Sequence, residues 1–217
     1  MSVNQPATTG QLTSVIAAAR DGDAAAQARL LERCRGFARV VARQHLPRDL
    51  LAKLDASDVA QHSLLDAWQG LRGFRGETTA EFLGWLRQIV SRNAVDATRF
   101  YRLADCRSVS REVRPASQGR GNRAPDDWVP ADRPLLDDET PSEIAARGEE
   151  ELLLADAITE LSDDHQQVLI CRSLLRLPFA EVAQRMDRSR PAVQVLWARA
   201  VDQLRLRLAE KGVSGAP

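Results

Sequence analysis

The sequence predicts an all-α protein built from two small helical domains. Three observations carry this prediction. Apolar residues recur at spacings of three and four through most of the chain. Helix-capping residues stand just ahead of those runs. Alternating apolar runs of strand length are absent. At 217 residues, 44% apolar and 28% charged, the chain has enough apolar surface for a modest core in each of two domains.

The first domain is expected over 11–104. A short helix runs from Gln11 to about Arg20. Asp23 caps the next, read as one helix from Ala24 to about His45 and ending before Pro47, with Leu30, Leu31, Cys34, Phe37, Val40 and Val41 inward. Asp55 or Ser57 caps a third, with Val59, Leu64, Leu65, Trp68 and Leu71 on one side, and Gly70, Gly73 and Gly76 end it. Thr78-x-x-Glu81 is a capping box that opens a long helix through Phe82, Trp85, Leu86, Ile89 and Val90 to about Arg102.

A second domain is expected over 141–211. Thr140-Pro141-Ser142-Glu143 is another capping box, with proline at the first helical position, opening a helix to about Leu161. Ser162 caps the following helix, with Val168, Leu169, Cys171 and Leu175 inward. Pro178 starts a short helix that ends near Met186, and Ser189 caps a last one to about Glu210.

Residues 105–140 read as a flexible linker. They hold Pro115, Pro125, Pro130 and Pro134 with Gly119 and Gly121, and show no helical period. The formal net charge of the chain is zero, 30 Lys+Arg against 30 Asp+Glu, but the charges are segregated. Six arginines face two acids between Arg102 and Arg123, and ten acids face two arginines between Asp126 and Glu151. Only Lys53 and Lys211 are lysines. Arginine suits phosphate and carboxylate partners because its planar fork binds them through two hydrogen bonds.

Several function classes are disfavoured. Cys34, Cys106 and Cys171 are widely separated and form no C-x-x-C, so reduced thiols are expected. His45, His62 and His165 are equally scattered. No phosphate loop, H-E-x-x-H or nucleophile elbow occurs, so no catalytic residue, metal site or cofactor is expected. There is no long apolar run and no visible signal peptide, which points to the cytoplasm.

The strongest local signal is Pro178–Ala200, PFAEVAQRMDRSRPAVQVLWARA, which reads as a helix-turn-helix. Val182, Ala183, Met186, Val193 and Leu196 supply its shared core, and Trp197 falls on the same apolar side. The turn is Asp187-Arg188-Ser189, and aspartate tolerates the left-handed backbone that the first turn position needs. In this motif the start of the second helix enters the major groove. Ser189, Arg190, Pro191, Gln194 and Val195 then point outward, with Arg199 further along. Arginine can fork to guanine, glutamine can pair with adenine, and valine can touch a thymine methyl. A helical hairpin with a solvated arginine face is the alternative.

The two halves together resemble the sigma-70 family of RNA polymerase sigma factors. Asp55-x-x-Asp58-Val59-x-Gln61-x6-Trp68, Leu71-Arg72-Gly73-Phe74-Arg75-Gly76, Phe82-x-x-Trp85-Leu86-x-x-Ile89 and Asn93-x-x-Asp96 look like region 2, and Leu161 through Leu206 resembles region 4. The short two-domain form is similar to the extracytoplasmic-function (ECF) group, and the long insert and LWARA resemble its planctomycete-type subsets. The resemblance implies a non-enzymatic subunit that binds core polymerase, through the β′ clamp and β flap, and directs it to promoters. Asp58, Gln61, His62 and Leu65 would meet polymerase. Phe74, Arg75, Arg87, Arg92, Asn93, Asp96 and Arg99 would face the −10 element, and the helix-turn-helix the −35 element. Arg92 stands where the family usually has Asn. The acidic stretch 126–151 would run through the RNA-exit channel, and an anti-sigma protein is a further partner the family allows. The competing reading is a stand-alone helix-turn-helix regulator whose N-terminal helices sense a ligand or dimerise.

Overall fold

The computed structural model describes residues 11–51, 53–109 and 141–212, and these form helices joined by short turns. In chain order they are α1 (Gln11–Arg20), α2 (Ala24–Arg33), α3 (Arg35–His45), α4 (Arg48–Leu51), α5 (Ala56–Gly70), α6 (Thr79–Val109), α7 (Pro141–Thr159), α8 (Asp163–Leu169), α9 (Phe179–Met186) and α10 (Arg190–Glu210). A 3-10 turn (Leu71–Gly73) follows α5 and a π-helical turn (Ile170–Leu174) follows α8. No strand occurs among the described residues.

Local chemistry sets most of these boundaries. Asp23 accepts hydrogen bonds from the Ala25 and Ala26 amides at the start of α2, and Asp55 accepts from Ser57 at the start of α5. The Thr78–Glu81 capping box is complete. Glu81 Oε2 accepts from the amides of Glu77 and Thr78, and the Glu81 amide donates back to Thr78 Oγ1 at 3.2 Å. Burial works against the Glu81 charge, but the Glu77 and Thr78 donors outweigh it and hold the carboxyl below its ordinary range. Asp187 adopts φ 52°, ψ 47° and ends α9, the left-handed position its sequence context required.

Four features depart from the sequence reading. The single helix expected over Ala24–His45 bends at Cys34 into α2 and α3. The apolar spacing runs unbroken through the bend, so periodicity does not mark it. Helix α6 continues to Val109, so residues 105–109 extend it instead of opening a linker. The rest of the expected linker and Thr140 of the second capping box lie outside the described residues. Ser162 precedes α8 without a side-chain cap, and Gln166 turns back to donate to the Thr159 and Leu161 carbonyls. Finally, Leu175 is not inward. The wide turn, closed by Leu175 N to Ile170 O at 2.9 Å, rotates it out to 36% exposure.

Two cores result. The larger gathers Leu30, Phe37, Val41, Leu64, Leu71, Phe82, Leu86 and Ile89, and it also takes in Leu152, Ala155 and Ile158 of α7 and Ile170. Phe74, Phe82 and Trp85 form a ring cluster there, with centroids 5.2–5.6 Å apart. The smaller core joins Val168, Leu169, Cys171, Val182, Met186, Val193 and Ala200, with Phe179, Leu196 and Trp197 packed against it. Cys34 is fully enclosed and burial pushes its thiol up to about 12, so it is an inert core residue. Burial also raises the Cys171 thiol.

Candidate nucleic-acid interface

The helix-turn-helix comprises α9, the turn Asp187–Ser189 and α10. Val182, Met186 and Val193 hold the two helices together, and Phe179 meets Trp197 edge-to-face at 5.8 Å. Ser189 caps α10 by accepting from the Ala192 amide, and Pro191 sits in the first turn, where its missing N–H costs nothing. The turn is braced from outside by Arg188, which donates to Asp164 of α8 at 2.6 Å. This scaffold leaves Ser189, Arg190, Pro191, Gln194, Val195 and Arg199 exposed together on the leading face of α10. That face presents a forked donor, an amide and a methyl pair at helical spacing, the set needed to read base edges in a major groove.

The second candidate face lies on α6 and the loop before it. Arg75, Arg92, Asp96 and Arg99 are exposed. Phe74 is different. Its ring is buried in the aromatic cluster, so it supports the loop from beneath and presents no surface to a nucleic acid. Asn93 is half-buried and tied down. Its Nδ2 donates to Ser63 Oγ at 3.1 Å and to Asp66 Oδ2 at 2.7 Å. Ser63 spends its own hydrogen on the Val59 carbonyl at 2.7 Å, so its oxygen can only accept from Asn93. Both amide hydrogens of Asn93 are thereby used, and among the described residues Oδ1 is the function it has left to offer. Arg87 is also engaged. It pairs with Glu151 of α7 and stands over the Phe37 ring, 5.2 Å from the centroid. Beside it, Ser91 Oγ and His45 Nε2 share a 2.8 Å hydrogen bond, and burial together with the Arg87 charge lowers the His45 pKa.

Helix α5 carries the third face. Asp58, Gln61, His62 and Leu65 are all exposed, at positions one helical turn apart. Leu65 is 56% exposed. Trp68 continues the same line and is 48% exposed, with its indole N–H donating to Gln27 Oε1 at 3.0 Å. The sequence pattern groups Trp68 with Val59, Leu64 and Leu71 on one side of this helix, but it stands half-exposed. A stripe that mixes Leu64 (inward) with Leu65 (outward) does not separate the two sides of the helix.

Two family models match the chain in order, Sigma-70 region 2 over residues 30–102 and Sigma-70 region 4 over residues 157–206. Among curated proteins, the ECF RNA polymerase sigma factor SigG of Mycobacterium tuberculosis is 29% identical over 163 residues in each of two strains, CDC 1551 / Oshkosh and H37Rv. The match covers 69% of this chain and 41% of SigG, so the chain spans about two fifths of the length of the curated relatives it matches. Similar solved structures include CnrH in complex with the cytosolic domain of CnrY, with 20% identity, a TM-score of 0.33 and coverage of 91% of this chain and 97% of that one. Another is RpoE in complex with the anti-sigma factor NepR from Bartonella quintana, with 14% identity, a TM-score of 0.29 and coverage of 92% and 94%. With region 2 in its first half and region 4 in its second, the chain belongs to the sigma-70 family.

Proposed function

We propose that this protein is an ECF-type sigma factor, a subunit without catalytic activity that directs core RNA polymerase to promoters. The observation that carries this reading is the open leading face of α10, Arg190, Pro191, Gln194 and Val195, held by a capped and braced turn. It would read the −35 element. Arg75, Arg87, Arg92, Asn93, Asp96 and Arg99 would engage the −10 element, with Phe74 as the core support of that loop. The exposed stripe Asp58, Gln61, His62, Leu65, with Trp68, would dock on the β′ clamp, and the second half would reach the β flap. The length of 105–140 and the LWARA segment support a planctomycete-type subset. An anti-sigma protein is a compatible partner, and the reading places the chain in the cytoplasm. No helix among the described residues is long and apolar enough to cross a membrane.

The Asn93 geometry adds a specificity rule. With Nδ2 committed to Ser63 and Asp66, Asn93 offers an acceptor, so a base captured there must present a donor such as the exocyclic amine of adenine or cytosine. Transcription in vitro with core polymerase and genomic DNA tests the whole reading. Start sites should map downstream of a shared two-part motif, and products at the level of core polymerase alone would refute it.

A further inference from the structure

The side-chain stripe of α6 outruns the core it builds. Phe82, Leu86 and Ile89 are buried in the larger core, and the same spacing of three and four continues through Asn93, Asp96, Phe100 and Leu103. Burial does not continue with it. Asn93 is half-buried, whereas Phe100 is 60% exposed and Leu103 57%. The Phe100 ring is steadied without being covered. Tyr101, half-buried and packed against the core, meets it edge-to-face with centroids 5.9 Å apart.

The neighbours of this ring define what it can receive. Arg92, Arg99 and Arg102 are exposed and stand one position before Asn93, Phe100 and Leu103, so they run along one edge of the stripe. Asp96 is the only acid between Arg92 and Leu103. Its pairing with Arg99 is loose, 3.9 Å between two side chains that are each more than half exposed. An aromatic ring beside a rail of arginines is the make-up of a single-strand site, where cations follow the phosphates and rings stack on the bases. A protein partner would have to bring matching acids to the same rail.

We propose that Phe100 is a stacking platform for an unpaired base, in addition to the residues assigned above to the −10 element. The inference rests on the −10 reading of α6 and deepens it. Phe100 lies seven residues beyond Asn93, about 10 Å along the helix axis at ~1.5 Å per residue. That distance is about three steps of ~3.4 Å in a stacked strand. The base on Phe100 is therefore about the third from the base that meets the Asn93 acceptor. The two residues divide the work. Asn93 discriminates through Oδ1, and Phe100 holds the strand whatever the base, because every base has a π face. Leu103 extends the apolar floor one turn further along α6.

The test uses the chain bound to core RNA polymerase and a fluorescein-labelled template from a mapped start site. The template is supplied fully paired and, in a second form, with its −10 bases mismatched. Phe100→Ala should weaken binding to the mismatched form roughly five- to hundredfold. Phe100→Tyr and Phe100→Trp should keep it within about threefold of the wild type. Phe100→Leu, apolar but without a ring, should fall with alanine. Circular dichroism melts of the free variants should coincide with the wild type, since the ring is exposed. A lowered melting temperature for Phe100→Ala would place the ring inside the chain's own packing, and lost association with core polymerase would make it a polymerase contact. Either overturns the proposal. So does undiminished binding by Phe100→Ala, or full rescue by leucine, which would leave the ring as an apolar cover. If the wild-type chain yields no start site, the sigma-factor reading fails and the proposal falls with it. If the wild type starts transcripts and Phe100→Ala binds as well as it does, the proposal fails alone.

Discussion

The two candidate DNA faces differ in how much of their chemistry is already spent. On α10 the base-reading side chains stand clear of the body, and the bonds that shape the face come from the turn beneath it. On α6 the key groups are occupied. Arg87 holds Glu151, Asn93 holds Ser63 and Asp66, and the Phe74 ring is in the core. The first face stands open as folded, while on the second these three residues are tied into the packing and Arg75, Arg92, Asp96 and Arg99 stay exposed. This suits a protein whose two modules work together. Two weak contacts held on one rigid partner gain effective concentration that neither has alone, and a chain of zero net charge has little general attraction for DNA to begin with.

The largest expected effect breaks one face and spares the other. Phe82 is 1% exposed and anchors the ring cluster beneath the loop that precedes α6, so Phe82→Ala should cost about 3–5 kcal/mol. Thermal unfolding should show the first half melting early while the separate core under α10 persists. Next, Arg190→Ala or Gln194→Ala should each remove about 1–3 kcal/mol of base discrimination at one position of the −35 element. Transcription from promoter variants measures this, and the stability of the protein should not change.

A smaller effect sharpens the account of the α6 face. Glu81→Gln weakens the capping box and should cost about 1 kcal/mol at neutral pH. Because the folded state holds this carboxyl below its ordinary range, its stabilisation is present above that range and is lost as pH falls through the lowered value. Asp156 of α7, packed against Gly36 of α3, has the opposite sign. Burial raises its pKa, so its contribution falls as pH rises from the ordinary carboxylate range through the raised value, and Asp156→Asn should flatten that slope in a pH series of melts. Smallest of all, Asp187→Gly relieves a left-handed non-glycine backbone and should stabilise the turn by up to about 1 kcal/mol.

What the sequence made legible was local. The Thr78–Glu81 box, the Asp23 cap, the left-handed Asp187 and the exposed face of α10 all follow from residues within a few positions of one another. Features set by residues far apart were not legible. The contact of Gly148 with Thr79 joins positions on either side of 105–140, and a glycine inside a helical run gives no sign of which backbone it must admit. The engagement of Arg87 by Glu151 is hidden for the same reason. The π-helical turn that carries Leu175 outward adds one residue to a turn, a change that a pattern of three and four cannot register. Ser63 and Asp66, which orient Asn93, were missed as site residues. The available signal was their place on α5 facing the middle of α6, visible only once the two helices are packed.

The most direct test compares the wild-type chain with Arg190→Ala/Gln194→Ala in transcription reconstituted with core RNA polymerase. The account predicts that both proteins associate equally with the core enzyme and that only the wild type starts transcripts at promoters carrying the −35 element. Failure of the wild-type chain to associate with core polymerase would contradict it, as would start sites that the double variant uses equally well.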